Sequence, residues 1–477
     1  MIKVSSDVHP LTMFYFVRRY IPLLLIPVLR TAYSLLAHVP LKLILSTDIA
    51  VAAVLLFVGF VRFKRFSFSV DERHFTVRSG VVFKRCSRVP LSEISGVYVY
   101  KTPISMLFGA VRVQVDTDAG LGKNPDFVFY YSKRSAGAFA QAVTGGGDTT
   151  NAKKYRCSAW QTVLLSVTSA SALSGLLIAA TVVSNTGKLL GNRLTDYVAD
   201  TISWVTVLAE RIVPPVAAAA AAVLTAGFFM SFALTLVKHL TFCVSFSGDI
   251  IFVSQGIVWR KFSYIRRRSV GAVTVVQPPI MRLFRRGSLL VRAAGYGTHN
   301  GESSAIIPVV RADKNGAVYP DAGFNGAPKI TLRQPRRAIM RVLFMPLLWT
   351  AAVICVPAVI GALGFPHPKY IAAACAVAVC VLLYWLSVRY FCFKRGGAAL
   401  RGAVRVRGSR RMSLTDSTFF YDRIDSIVIA SNPFDRGLGV CTLRAELRSE
   451  HPFSASAVSL DLSELSQELE ACFGIKL

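Results

Sequence analysis

Acidic residues are scarce in this sequence. It has 26 Asp and Glu against 55 Lys and Arg, which gives a formal net charge of +29. A chain this basic is expected to meet an anionic partner, either a nucleic acid or a membrane surface. Because 53% of its residues are hydrophobic and its mean hydropathy is +0.49, we favour the membrane surface. A nucleic-acid binder has no need of long apolar runs.

The sequence also lacks the motifs of common enzymes and metal sites. It contains no Walker loop, no dinucleotide fingerprint, no HExxH and no G-x-S-x-G. The nine cysteines are scattered, without a CxxC pair or a Cys/His cluster at zinc spacing, and the seven histidines are isolated. We therefore predict a protein that is not an enzyme and binds no cofactor or metal. Disulfides are not expected, which fits a reducing compartment, and no cleavable signal peptide is evident.

Long apolar runs are plentiful, and they occur in pairs. A helix needs about 20 mostly apolar residues to span a bilayer. The six candidate spans are 20–39, 41–61, 161–183, 212–237, 342–364 and 370–388. Arg30 interrupts the first span. A charge at mid-bilayer can mark a transport path or a buried pair, but we favour a side chain that reaches the membrane surface or a tilted interfacial segment.

Three long basic segments follow the three pairs. In the first, "HFTVRSG" and "ISGVYVY" alternate apolar and polar residues, which predicts half-buried antiparallel strands. The stretch "SKRSAGAFAQAVTGGG" predicts a short helix that ends at glycines, and "LDLSELSQELEACF" predicts a helix at the end of the third segment. The closing helix is least clear in the second segment.

One stretch occurs three times along the chain. "KTPISMLFGAVRVQV" begins at Lys101, "QPPIMRLFRRGSLLV" at Gln277 and "SNPFDRGLGVCTLRAEL" at Ser431, at offsets of 176 and 330. Each copy has a proline just after a predicted strand. The first and third copies then have a glycine, Gly109 in the first, where the second has Arg285. A repeat of this length predicts a repeated domain.

These repeats resemble the bacterial pleckstrin-homology-like (PH-like) domains that sit beside paired membrane helices, the membrane-flanked domain proteins. The resemblance rests on a strand, an "SG" or "QG" turn, a basic hairpin and the "I-x-x-V-x-V…P…LFG…V-x-V" stretch from Ile94 to Val113. It also rests on "HPLTMFYFVRRYIPLL" near the N-terminus. It covers nearly the whole chain, which is identified as a three-copy member. The resemblance implies a PH-like barrel and an inner-membrane location, and it implies no enzymatic activity.

We predict an α+β membrane protein in which three transmembrane helix pairs alternate with three small antiparallel PH-like β-barrel domains, each closed by a helix. The predicted domains are the N-terminal segment and first pair at 1–61, PH-like domains at 62–157, 238–337 and 389–477, and helix pairs at 158–237 and 338–388. Basic residues flank the helices and are sparse in the hairpin loops. The positive-inside rule therefore places the domains and both termini in the cytoplasm, in a multi-pass inner-membrane protein.

Arginines concentrate in the second predicted domain. Residues 238–337 contain 16 Lys and Arg against 4 Asp and Glu. Each basic side chain near an anionic leaflet contributes about 1 kcal/mol to binding. The same pattern also has an explanation without a ligand. In that alternative the basic face is solvated, and its charges only follow the positive-inside rule. The candidate binding residues are Arg266, Arg267, Arg268, Arg282, Arg285 and Arg286.

The predicted function is a non-catalytic scaffold or adaptor. Its domains would bind protein segments or anionic lipid head groups. The expected partners are therefore the lipid bilayer and an unidentified protein. We do not expect it to bind nucleic acid. Exposed strand edges offer one mode of binding, because a partner strand can extend a sheet. The alternative is a transporter or export component built from the six helices. Such a protein would line a path with polar residues, and the six runs offer few.

Overall fold

The computed structural model of the chain describes residues 4–5, 8–18, 20, 22, 41–118, 126–145, 153–169, 215–293, 305–313, 316–317, 328–362, 368–410, 413–448 and 453–475. The chain forms two compact units. Unit 1 comprises Met1–Lys154, Cys243–Ser269 and Ala293–Glu302, and unit 2 comprises Tyr155–Phe242, Val270–Arg292 and Ser303–Leu477. The predicted domain at 238–337 therefore contributes residues to both units.

The α-helices of the described residues are of three kinds. Four are long and largely apolar, three are single turns that begin with proline, and the other four run from 7 to 12 residues. The long helices are α2 (Leu41–Arg65), α6 (Pro215–His239), α8 (Ile339–Ala362) and α9 (Pro368–Arg395). The single turns are α3 (Pro103–Leu107), α7 (Pro279–Leu283) and α10 (Pro433–Gly437). The others are α1 (Thr12–Arg18), α4 (Ala136–Thr144), α5 (Ala159–Ser169) and α11 (Leu462–Phe473).

The prediction of three transmembrane helix pairs is wrong. In the part of the chain that the structure describes, one helical segment, Arg336–Cys355, is long and apolar enough to cross a membrane, and Val223–His239 is apolar but shorter. An apolar run in the sequence does not by itself give about 20 uninterrupted apolar helical residues. The apolar segment Val223–His239, for example, has 17 residues, fewer than a span needs. The first predicted span, 20–39 with Arg30, lies almost entirely outside the described residues.

The strands of the described part of the chain form four sheets. The first sheet has the order β1-β2-β3-β4, with β1 Val4–Ser5, β2 Ser67–Val70, β3 His74–Ser79 and β4 Arg85–Pro90. The second has the order β7-β6-β5-β11-β10-β9-β8. Its strands are β5 Ile94–Lys101, β6 Ala110–Thr117, β7 Phe127–Ser132, β8 Lys153–Arg156, β9 Cys243–Ser247, β10 Ile250–Gln255 and β11 Arg260–Arg266.

The third and fourth sheets contain the later strands. The third has the order β15-β14-β13-β12-β19-β18-β17-β16, and the fourth has the order β20-β21-β22. The strands of the third sheet are β12 Val270–Gln277, β13 Arg286–Ala293, β14 Ala305–Asp313, β15 Gly316–Ala317, β16 Leu332–Arg333, β17 Gly397–Ala399, β18 Val404–Arg410 and β19 Ser413–Phe419. Those of the fourth are β20 Ile424–Ala430, β21 Val440–Leu447 and β22 Phe453–Asp461.

The same six-strand pattern occurs three times. Repeat 1 is β2–β7 followed by α4, repeat 2 is β9–β14, and repeat 3 is β17–β22 followed by α11. In each repeat the first three strands and the last three belong to different sheets. Repeats 1 and 3 are each followed by the predicted closing helix. For repeat 2, no α-helix lies between β14 and α8 within the described residues, and residues 318–327 lie outside them.

Two of the sheets continue from one repeat into the next. β5 of repeat 1 pairs with β11 of repeat 2 through six consecutive residue pairs that begin at Lys101 with Arg260. β12 of repeat 2 pairs with β19 of repeat 3 through six pairs that begin at Gln277 with Leu414. The offsets between repeats show that these are the same positions, so the two junctions have the same register. We call this arrangement the inter-repeat junction.

An aromatic cluster forms the core of unit 1. Phe68 and Phe129 are almost fully buried, with ring centroids 4.5 Å apart, and α4 adds Phe139, whose ring centroid lies 5.4 Å from that of Phe68. Phe262 and Tyr264 of β11 pack against the same cluster. Burial of an aromatic side chain of this size contributes about 1.5–3 kcal/mol. Repeat 2 therefore supplies part of the core of repeat 1.

A buried ion cluster joins β18 to β19, the strand of repeat 3 in the second junction. The Asp416 carboxylate accepts hydrogen bonds from Arg405 at 2.9 and 2.7 Å and from Arg407 at 3.1 and 2.8 Å. Burial alone would raise the pKa of Asp416. Hydrogen bonding and the positive charges of Arg405 and Arg407 outweigh it, so the pKa lies below its ordinary value. The carboxylate is therefore charged in the folded protein.

We expect Asp416→Asn to lower the free energy of unfolding by about 3–5 kcal/mol, because it leaves two guanidinium groups without their buried counter-charge. The measurement is chemical unfolding of the purified full chain, with exposed Asp425→Asn as the matched control. Since the folded-state pKa of Asp416 is depressed, its contribution is complete above the unfolded pKa of about 3.9 and is lost as the pH falls through the lower folded value. Equal stability of both variants and wild type at neutral pH would contradict this account.

Candidate functional site

Three single-turn helices connect equivalent strands of the three repeats. α3, α7 and α10 each lie between the fourth and fifth strands of a repeat, and each begins at a proline: Pro103, Pro279 and Pro433. Proline suits the first helical position, where its missing N–H leaves no hydrogen bond unmade. In α3 the Thr102 hydroxyl also accepts a hydrogen bond from the Ser105 N–H at 3.3 Å. The turn is therefore fixed by the local sequence.

A left-handed residue follows each single-turn helix. Gly109 has φ 69° and Gly439 has φ 62°, whereas the equivalent residue of repeat 2 is Arg285, with φ 51°. A left-handed backbone costs a residue other than glycine about 1–2 kcal/mol. Repeat 2 therefore keeps an arginine at this position at a cost in stability, and such local strain points to a functional position.

Each of these turns exposes apolar side chains to solvent. Leu107 is 84% exposed, Leu283 is 80% exposed and Phe434 is 87% exposed. Exposed apolar groups in a cluster indicate a surface that meets a partner or a membrane. We call the three surfaces the first, second and third rims. Their exposed apolar residues are Ile104, Met106, Leu107 and Phe108 in the first, Ile280, Leu283 and Phe284 in the second, and Phe434 and Leu438 in the third.

Three cations accompany the first rim. Lys101 ends β5, Arg260 lies opposite it on β11, and the backbone N–H of Lys133 donates to the Gly109 carbonyl at 2.9 Å. Partial burial, followed by the positive charges of Lys133 and Arg260, lowers the pKa of Lys101. The Lys101 ammonium also lies 4.5 Å from the ring centroid of Phe262. An anion placed among the three cations would relieve their mutual repulsion.

The second rim lies beside the ends of two helices. The Arg282 guanidinium is 4.3 Å from the ring centroid of Phe391 in α9, and partial burial, followed by the charge of Arg395, lowers the pKa of Arg282. Phe284 meets Trp160 at the start of α5 edge-to-face, with ring centroids 5.8 Å apart. Trp160 lies at the start of α5 and Phe391 lies near the end of α9. The two aromatic contacts therefore hold the second rim next to the ends of these helices.

The third rim adjoins the beginning of the apolar segment Arg336–Cys355. Arg341 forms an ion pair with Asp435 of α10 at 2.5 Å. Arg337 donates to the Asp461 carboxylate at 2.6 Å and to the Gly439 carbonyl at 3.4 Å. These contacts tie the turn α10 to the first residues of the helix that could cross a membrane.

The six arginines predicted from the sequence fall in two different places. Arg266 is 5% exposed and donates to the Val143 carbonyl near the end of α4 at 3.0 Å, and Arg268 donates to the Ser92 carbonyl at 2.9 Å. These two side chains donate hydrogen bonds to backbone carbonyls of the protein itself. They lie at or just beyond the Arg266 end of β11, whereas the first rim lies at the Arg260 end. The predicted residues are Arg266, Arg267 and Arg268 in unit 1, and Arg282, Arg285 and Arg286 at the second rim in unit 2.

The cations of the first rim were not predicted from the sequence. Lys101 and Arg260 are far apart along the chain and become neighbours only through the inter-repeat junction. The shared offset of the repeats is the signal in the sequence that points to such pairing, because it places Lys101 and Arg260 at equivalent ends of repeated strands. Within the described residues, no group of three or more His, Cys, Asp or Glu side chains is placed to hold a metal ion.

Comparison with protein families identifies the repeated unit. The model of the family described as bacterial PH domain matches residues 22–144 and 197–319, together just over half of the chain. The family resemblance predicted from the sequence is thus confirmed. No curated protein and no solved structure matches the chain significantly. PH-like domains are typically non-catalytic binding modules for lipids or proteins, and the bacterial ones are often membrane-associated.

We expect Arg285→Gly to raise the free energy of unfolding by about 0.5–1 kcal/mol, because relief of the left-handed strain exceeds the added backbone entropy of glycine. The matched control is Gly109→Arg, where an added Cβ meets no atom within 4 Å and backbone strain alone acts. That change should lower stability by about 1–2 kcal/mol. Thermal unfolding of the full chain measures both, and a destabilising Arg285→Gly would show that the arginine is kept for stability.

Proposed function

We propose that this chain, which belongs to the bacterial PH domain family, is a non-catalytic, membrane-attached adaptor whose three rims bind the head-group region of an anionic leaflet. The observation that carries the proposal is the exposed apolar side chains at the same turn of each repeat, accompanied by cations at the first and second rims. A scaffold role follows, because several such modules in one chain can hold other surfaces of the protein close to the membrane.

The chemistry of the rims suits a membrane interface. Leu107, Leu283 and Phe434 can enter the boundary between head groups and acyl chains, while neighbouring cations attract anionic phosphates. Each Lys or Arg at an anionic surface contributes about 1 kcal/mol. The mutual repulsion of Lys101, Lys133 and Arg260 supports an anionic ligand, and the strain at Arg285 supports a binding role for that side chain.

Attachment through Arg336–Cys355 would place the third rim at the membrane surface. The ion pair between Arg341 and Asp435 holds α10 at the beginning of this segment. Arg333, Arg336 and Arg337 precede or open the same helix. By the positive-inside rule this end of the helix is cytoplasmic, so the third rim would contact the inner leaflet of the cytoplasmic membrane from the cytoplasmic side.

A transporter built from six helices is not supported as a second candidate. That alternative depended on six membrane-spanning runs, and one described segment has the length and apolarity of a span. The rims are instead exposed positions for binding, one in each repeat.

We expect the triple variant Arg282→Gln, Arg285→Gln and Arg286→Gln to bind anionic phospholipid at least tenfold more weakly, since about 1 kcal/mol is lost for each cation. The full chain is purified in detergent and titrated with mixed micelles that contain phosphatidylglycerol or phosphatidylcholine, and bound lipid is quantified by mass spectrometry.

The matched control removes the same charge elsewhere in unit 2, at Arg401, Arg444 and Arg448, which are exposed and lie outside the rims. It should keep nearly wild-type binding of phosphatidylglycerol. Equal losses in the two triple variants would mean that net charge alone attracts the lipid, and unchanged binding in the rim variant would refute the proposed site.

A further inference from the structure

Two strands have an open edge although the equivalent strands of neighbouring repeats are paired. One is in repeat 1 and the other is in repeat 3. β20 of repeat 3 is equivalent to β5 and β12, each of which pairs with a strand of the next repeat. β4 of repeat 1 is equivalent to β11 and β19, which provide those strands. Within the described residues, β4 and β20 are each the last strand of their sheet. In the part of the chain that the structure describes, β4 and β20 therefore each have a free edge at the position where the inter-repeat junction would form.

The open edge of β20 borders an apolar groove of about 1000 Å³. The first six residues of β5 and of β12 are buried, whereas β20 is intermediate to exposed along its whole length. The lining includes Ile427 and Ile429 of β20 and Leu469 and Phe473 of α11. These features indicate that the groove is the place where a neighbouring strand would pack.

Repeat 1 shows what fills such a groove. Phe262 and Tyr264 of β11 lie opposite Val99 and Val97 of β5 and pack on the core beside α4. Val97 and Val99 are the equivalents of Ile427 and Ile429 at the offset of 330. The residues of β4 equivalent to Phe262 and Tyr264 are Cys86 and Arg88, and both are exposed.

We propose that β4 of one copy of this chain pairs with β20 of a second copy, in the register of the inter-repeat junction. That register places Val89 opposite Ser426, Cys86 opposite Ile429 and Lys84 opposite Ser431 of the second copy. It covers six residue pairs, as in the two observed junctions. Pro90 falls one residue beyond the last pair, so its missing N–H interrupts no hydrogen bond of the ladder.

One pair of charges is complementary across the proposed contact. Lys84, Arg85 and Arg88 lie on or beside β4, whereas charges of both signs, Asp422, Arg423 and Asp425, lie on or beside β20. In the proposed register Arg88 faces Ile427, and Asp425 is its diagonal neighbour on the same face of the sheet. Such neighbours are about 7–8 Å apart at the backbone, within reach of an arginine and a carboxylate.

The occupant is assigned as a second copy because the chain itself supplies the complementary edge. Exposed arginines on an edge strand discourage indiscriminate pairing, and here Arg88 has Asp425 as its diagonal neighbour. The contact joins different surfaces of the two copies, so it generates a ring or an open filament. Attachment to a membrane would raise the local concentration of both edges, which allows six residue pairs to suffice.

The test uses the full chain with Ile429→Cys and the native, exposed Cys86. Directly opposite residues of antiparallel strands have Cα atoms about 4.5–5.5 Å apart, which suits a disulfide. Mild oxidation of the reconstituted protein should give a ladder of cross-linked oligomers. When Cys86→Ser/Ile429→Cys chains are mixed with wild-type chains, covalent products that involve both should stop at dimers, because each chain then has one reactive edge.

Two controls decide the outcome. Val428→Cys moves the thiol by one residue to the other face of the sheet and should cross-link at least tenfold more slowly. Arg88→Asp in the Ile429→Cys background should suppress the ladder, and Asp425→Arg added to it should restore it. No cross-linking with Ile429→Cys, equal cross-linking with Val428→Cys, or the absence of charge-swap rescue would each overturn the proposal. None of these outcomes depends on lipid binding by the rims.

Discussion

The antiparallel pairing between the fourth strand of one repeat and the third strand of the next is the interaction on which this structure depends. It removes an open sheet edge at each junction, and such edges otherwise invite uncontrolled association. It also places side chains of one repeat in the core of another, as Phe262 and Tyr264 do in unit 1. A fragment cut at 157 or 238 would lose one strand of this pairing, so the repeats are structurally interdependent.

The same pairing shapes the candidate binding surface. Arg260 reaches the first rim because it lies opposite Lys101 across the junction. The turn beyond Lys101 is fixed by proline and by a left-handed residue, which leaves Leu107 and Phe108 exposed. Backbone geometry thus positions the apolar groups, and strand pairing between repeats positions part of the charge. The proposed binding surface therefore depends on both the geometry of the turn and the pairing between repeats.

Local features of the fold could be predicted from the sequence, and long-range pairing could not. The alternating stretch "ISGVYVY" corresponds to β5, "SKRSAGAFAQAVTGGG" contains α4 with Gly145 in a left-handed C-cap, and "LDLSELSQELEACF" contains α11. A period of two identifies the faces of a strand but not its neighbour. For that reason the partners of β5 and β12 were missed. Arg266, a predicted binding residue, donates a hydrogen bond to the Val143 carbonyl, a contact that the sequence did not indicate. Apolar runs likewise overstated the number of membrane-spanning helices.

Hydrogen–deuterium exchange of the full chain tests the central claim, that consecutive repeats share sheets, most directly. In a PH-like repeat without a junction, the outer amides of the fourth strand would exchange with solvent. The structure predicts slow exchange along 96–101 in β5 and 272–277 in β12, where six residues are paired with the next repeat. Rapid exchange of alternate amides in β5 and β12 in the folded chain would contradict shared sheets between the repeats.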